Sequence, residues 1–144
     1  MKKIFLILVV FVLISAGCKS AQQESTPTSQ STTLTAQQIF DKKSHCAGYK
    51  SQIEAELEKM YFENPKTGTQ IYYSLDKIFY SPSRNSCLYT YSGMTLVKGK
   101  LTWQDFQLKD YLSNELLTSV MVVVGEDNLL DKQNTFDSIV KDYE

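Results

Sequence analysis

The amino-acid sequence predicts an α+β domain over residues 34–144, with an N-terminal helix, an antiparallel sheet of four or five strands and a short C-terminal helix. Three observations predict it. Apolar residues from Ile39 to Met60 recur at helical spacing. From Gln70 to Val124 they fall in aromatic and β-branched runs of strand length, separated by Pro, Ser, Asn and Gly. From Leu129 onward helical spacing returns.

The elements follow in order. Thr35 is the N-cap of the first helix, Gln38 stands three residues on as in a capping box, and Leu34 and Ile39 hold the staple positions. Ile39, Cys46, Tyr49, Ile53, Leu57 and Met60 lie on one helical face, and Glu54, Glu56, Glu58 and Lys59 fall on the solvated side. Asn64-Pro65 stops the helix, and Lys66-Thr67-Gly68 forms a turn. Gln70–Tyr80 reads as one or two strands with a kink near Leu75-Asp76, and Pro82 ends it. Cys87–Tyr91 and Thr95–Val97 follow, with Ser92-Gly93 as a break between them. Leu101–Leu108 and Leu116–Val124 form a hairpin across Ser113-Asn114, and Gly125 closes the last strand. Leu129, Leu130, Phe136, Ile139, Val140 and Tyr143 make the terminal helix.

The apolar fraction of 42% is unevenly spread. Residues 1–17 hold 13 apolar residues, whereas residues 18–33 hold only Cys18 and Ala21 of that class. Met1-Lys2-Lys3 is a basic start, Ile4–Ile14 an unbroken apolar run, and Ser15-Ala16-Gly17-Cys18 a small-residue ending. The run is about half of the roughly 20 residues that a spanning helix needs, so it reads as a secretory signal peptide. Its ending resembles the lipobox of bacterial lipoproteins. The resemblance implies that a diacylglycerol is joined to the Cys18 thiol, that cleavage precedes Cys18, and that the protein sits by its lipid on the extracytoplasmic side of the cell membrane or the outer membrane. Lys19 after the cysteine, rather than Asp, fits outer-membrane sorting in a Gram-negative host. Residues 18–33 are then the lipidated cysteine and a Ser/Thr/Gln-rich tether too polar to bury a core.

Without Lys2 and Lys3 the chain carries a net charge near −3 and no basic tail or stripe, which argues against nucleic-acid binding. With Cys18 taken by lipid, Cys46 and Cys87 remain, and export makes their pairing the natural expectation. The bridge closes a loop of about 42 residues, worth roughly 4 kcal/mol in the chain-entropy account. Two free thiols, a metal site and a Cys–His nucleophile are the rival readings of these cysteines. His45, the only histidine, is adjacent to Cys46 on the helix and projects roughly 100° away, which disfavours a shared metal and a thiol–imidazole pair. No metal or cofactor is expected, since phosphate-cradling glycine motifs, a nucleophile elbow and a histidine-pair metal motif are all missing from the sequence.

Tyr72, Tyr73, Tyr89, Tyr91 and Trp103 in the strand-rich region are the candidate binding surface, because tyrosine and tryptophan serve interaction and sugar-binding faces. The plainer reading is that aromatics favour strands and pack across them. Alternation along the strand sets Tyr72 and Tyr73 on opposite sides. The stretch Ile78-Phe79-Tyr80-Ser81-Pro82 with Asn85-Ser86-Cys87 is similar to a pattern in small uncharacterised bacterial proteins, and that similarity implies no activity. The reading is therefore a lipid-anchored, non-catalytic binding module of the cell envelope, its partner an envelope protein or glycan. One rival is a small envelope hydrolase built on Asp76, Asp105 or Asp110 with His45. The other is an inhibitor of a wall-degrading enzyme, similar in size and disulfide use to periplasmic lysozyme-inhibitor lipoproteins.

Overall fold

A computed structural model describes residues 34–125 and 128–144. Residues 1–33, where the signal peptide, the lipidated Cys18 and the tether are expected, lie outside the described residues. The order of elements is α1 (Ala36–Ala47), α2 (Lys50–Lys59), β1 (Phe62–Asn64), β2 (Thr69–Ser81), β3 (Ser86–Val97), β4 (Lys100–Asp110), β5 (Leu116–Val123) and α3 (Leu129–Lys141). The five strands form one antiparallel sheet in chain order, so each pairs with its sequence neighbour.

The capping box is present: Gln38 N donates to Thr35 Oγ1 at 3.2 Å, and Thr35 N donates to Gln38 Oε1 at 2.8 Å. The single N-terminal helix expected from the spacing is, however, two helices. At Gly48 and Tyr49 the ladder tightens, and Tyr49 N bonds to Cys46 O instead of reaching one residue further back. Glycine holds helix poorly, and the break lets two separate anchors be met. Cys46 on α1 reaches Cys87, while Ile53 and Leu57 on α2 pack against Tyr89 and Tyr91. Met60, expected on the buried face, is 45% exposed as the C-cap of α2.

Two more boundaries differ from the sequence reading. Ser92-Gly93 does not interrupt β3, which pairs continuously with β2 across that point. β1 was not expected. It is a three-residue strand paired to Thr69–Ile71, too short to carry a readable alternation. The kink expected near Leu75-Asp76 is present as a bulge, with Leu75 opposite Tyr91 and Lys77 opposite Thr90.

Cross-strand partners share a face, so the register sorts the side chains into two layers. On one face Leu88, Phe106, Leu108 and Val122 pack against Phe136 and Val140 of α3. On the other, Tyr89, Tyr91, Tyr73 and Leu75 lie under Ile53 and Leu57 of α2. The disulfide Cys46–Cys87 joins α1 to the start of β3, with Cα atoms 5.3 Å apart, and Tyr80, Leu34 and Tyr111 pack around it.

Asp110 ties the two turns at the end of the sheet nearest the disulfide. It accepts from Ser86 Oγ at 2.7 Å, Leu112 N at 3.0 Å and Ser113 N at 3.1 Å, with Arg84 Nε at 3.5 Å. Burial pushes its carboxyl up, but the Ser86 and backbone hydrogen bonds and the Arg84 charge outweigh burial and hold it below the usual carboxylate range. A depressed carboxyl adds stability that is complete above its unfolded value near 4 and is lost as pH falls through the folded one. Asp110→Asn is expected to cost about 1–3 kcal/mol at neutral pH and to flatten the acid side of a pH–stability profile measured by urea unfolding. A profile with an unchanged acid limb contradicts this role.

Candidate functional site

The local architecture that makes the site is a mismatch in length. β2 has 13 residues, but β1 pairs with only its first three. Beyond Ile71 the outer edge of β2 has no strand beside it among the described residues. The C-terminal half of α2 packs over the face of the sheet next to this stretch of β2. The gap between them is a groove of about 540 Å³ lined by Glu54, Leu57, Glu58 and Tyr61 on one wall and Tyr72, Tyr73, Ser74 and Leu75 on the other. Its size lies within the roughly 300–1,000 Å³ of ordinary small-molecule sites.

Each wall follows from local spacing. Glu54, Leu57 and Glu58 stand at i, i+3 and i+4, one stripe of α2, and Tyr61 follows directly after its C-cap Met60. The Tyr61 and Tyr72 rings meet at 5.2 Å between centroids and 51° between planes. Tyr73 packs edge-on to Tyr91, 6.1 Å away. Tyr72 and Tyr73 point to opposite faces of β2, yet both reach the groove because it follows the strand edge.

A polar relay lies behind the Tyr73 wall. Tyr91 Oη donates to Gln107 Oε1 at 2.5 Å, and Gln107 Nε2 donates to Asp105 Oδ2 at 2.5 Å. Asp105 is only 3% exposed, and its Oδ1 has no hydrogen-bond partner. That carboxylate occupies the space left by the missing side chain of Gly93, its cross-strand partner. The Tyr73 ring lies across the same glycine from β2.

The phenols are held neutral. The Tyr61 hydroxyl donates to Glu63 Oε2 at 2.8 Å, and that bond, with burial and the Glu63 charge, raises it to about 12. Burial and the nearby Asp105 charge raise Tyr73, and burial with Tyr89, Asp105 and Tyr73 raises Tyr91 to about 12. At neutral pH these groups are hydrogen-bond donors and ring faces, with no phenolate base among them.

The five candidate aromatics are thus divided. Tyr72 and Tyr73 line the groove, Tyr89 and Tyr91 are buried beneath α2, and Trp103 is half-buried opposite Thr95 and Val123, outside the groove. Glu54, Glu58 and Tyr61 are the lining residues that sequence reasoning passed over, since the glutamates read as an ordinary solvated face. Their helical stripe with Leu57 was the available signal.

Residues weighed for catalysis are dispersed. His45 Nε2 bonds to Tyr49 Oη at 2.7 Å and lines a separate cavity beside the disulfide, with Asp41, Lys42 and Tyr80. Asp110 is held by Ser86 and Arg84, Asp105 lies behind Tyr73, and Asp76 faces Gln133 and Asp137 of α3 in a third cavity. Among the described residues no three His, Cys, Asp or Glu side chains gather as metal ligands, and no helix is long and apolar enough to cross a membrane.

No protein-family model, curated protein or solved structure matches this chain.

Proposed function

We propose that this protein is a lipid-anchored component of the cell envelope whose domain is a non-catalytic binding module, and that the groove between α2 and β2 is where it binds. The observation that carries the reading is the groove itself. Three tyrosines and two glutamates converge on one concavity along β2, while His45 and the aspartates lie apart from one another. Such a wall offers ring faces and hydrogen bonds but no nucleophile–base pair. The lipobox-like ending at Cys18 supplies the anchor, and the polar tether, with a relaxed reach of roughly 20 Å, gives the domain freedom over the bilayer.

Two measurements test this. Cys18→Ala is expected to release the chain from the membrane fraction and to abolish acyl labelling; a variant that stays membrane-bound at unchanged mass rejects the anchor. A photocrosslinker at the exposed Ser74 position, used in intact envelopes, is expected to capture a component, and Tyr72→Leu is expected to abolish that capture. Labelling that is absent, or indifferent to Tyr72→Leu, rejects the groove as the binding site. Turnover of a wall polymer by the purified full-length chain favours the hydrolase reading instead.

A further inference from the structure

We infer that the groove recognises an alkylammonium group, a positively charged amine on an aliphatic stem. The inference rests on the binding reading above and assigns that site its ligand class.

Charge is the first ground. Glu54 and Glu58 stand on the α2 wall, and none of the lining residues is Lys, Arg or His. Glu58 makes no ion pair with a described residue, and Glu54 meets only Lys50, at 3.8 Å on an exposed helix face. An exposed pair of that length holds its partners weakly. Asp105 adds a third carboxylate behind Tyr73, 3% exposed and with one oxygen unpartnered. Charge buried there is screened less than charge in water, so its field reaches the groove. An anionic ligand is repelled from both walls, and a cation is attracted.

The rings supply the second ground. Tyr61 and Tyr72 pack together at 5.2 Å between centroids and 51° between planes, and the outer face of a tyrosine ring attracts a cation. The Tyr61 hydroxyl is fixed by Glu63, which holds that ring in place. The third ground separates an organic cation from a metal ion. Leu57 and Leu75, one on each wall, add apolar surface suited to methylenes. A hard metal ion instead requires about six converging oxygens, and no such group occurs among the described residues.

The test uses the full-length chain in neutral detergent micelles, titrated calorimetrically at low ionic strength with spermidine, then with a lysine tripeptide and with choline. Saturable binding of spermidine is expected, weakening as salt is raised. Glu58→Gln and Tyr72→Leu are each expected to weaken it by about tenfold. Glu56→Gln, which removes the same charge from α2 outside the groove, is expected to leave it within twofold, about the scatter of a surface charge. Melting curves establish that each variant is folded; Glu58 is exposed, so its variant keeps the test available if Tyr72→Leu is unstable. The order of affinities among the three amines identifies the source as polyamine, lysine side chain or choline headgroup. No saturable binding of any amine, or binding indifferent to Glu58→Gln, overturns the inference. If the Ser74 crosslinker still captures a Tyr72-dependent component that no amine displaces, the binding reading stands and only the ligand class falls. If neither binding nor capture is seen, both fall.

Discussion

Replacing Cys46 and Cys87 together with alanine is expected to lower the unfolding free energy by about 4 kcal/mol. The two residues are 41 apart in sequence, and their bridge removes the freedom of that whole segment from the unfolded chain. The segment contains α2, β1 and β2, the elements that build the groove. A domain of this size holds only about 5–15 kcal/mol in total, so the loss is a large share of it. It corresponds to a fall in melting temperature on the order of 20 °C. Thermal melts followed by circular dichroism test this, with reduced wild-type protein expected to match the double variant. A wild-type melt unmoved by reductant removes the bridge from any role in stability. The bridge also fixes the end of α1 against β3, so its loss is expected to disturb the Gly48–Tyr49 break before the sheet.

The second large effect is expected at Gly93. An added Cβ there overlaps Asp105 Oδ1 outright and comes within 3.0 Å of Asp105 Cγ and Tyr73 Cε1. Gly93→Ala must therefore push a buried carboxylate off its Gln107 hydrogen bond or displace the Tyr73 ring. The expected cost is about 3 kcal/mol, combining overpacking with disruption of a buried charge. The mechanism is separable from a general loss of strand stability. If the carboxylate is what alanine strikes, Gly93→Ala/Asp105→Ala is more stable than the sum of the single variants predicts, by about 1–2 kcal/mol. Strict additivity in urea unfolding rejects the lock between these residues. Because Tyr73 is a groove wall, Gly93→Ala is also expected to weaken ligand binding.

Legibility in the sequence followed the range of the forces involved. The capping box at Thr35 was readable because its partners are three residues apart. The bulge near Asp76 was readable as an interruption in the pattern of a long strand, and the turn at Ser113-Asn114 from residues that tolerate tight backbone. Asn114 adopts a φ of 59° there. Ser92-Gly93 misled because glycine in a strand usually marks a break or a close approach, and only the residue across the sheet tells which. That residue is Asp105, twelve positions on in sequence and directly opposite in space. The split between α1 and α2 was hidden for a similar reason. The apolar spacing passes through Gly48 and Tyr49 without a gap, while the two anchors that pull the halves apart lie on β3.

Local pattern in the sequence specified the α+β class and most of the boundaries of strands and terminal helix. Those are set by periodicity, capping and chain-breaking residues, all of which act within a few positions. Tertiary structure alone decided that β1 stops after three pairs and leaves the edge of β2 beside α2, that Tyr89 and Tyr91 are covered while Tyr72 and Tyr73 face a groove, and that Asp105 is buried against Gly93. These depend on which side chains meet across strands, and burial is a property of the assembled layers that a local pattern does not contain.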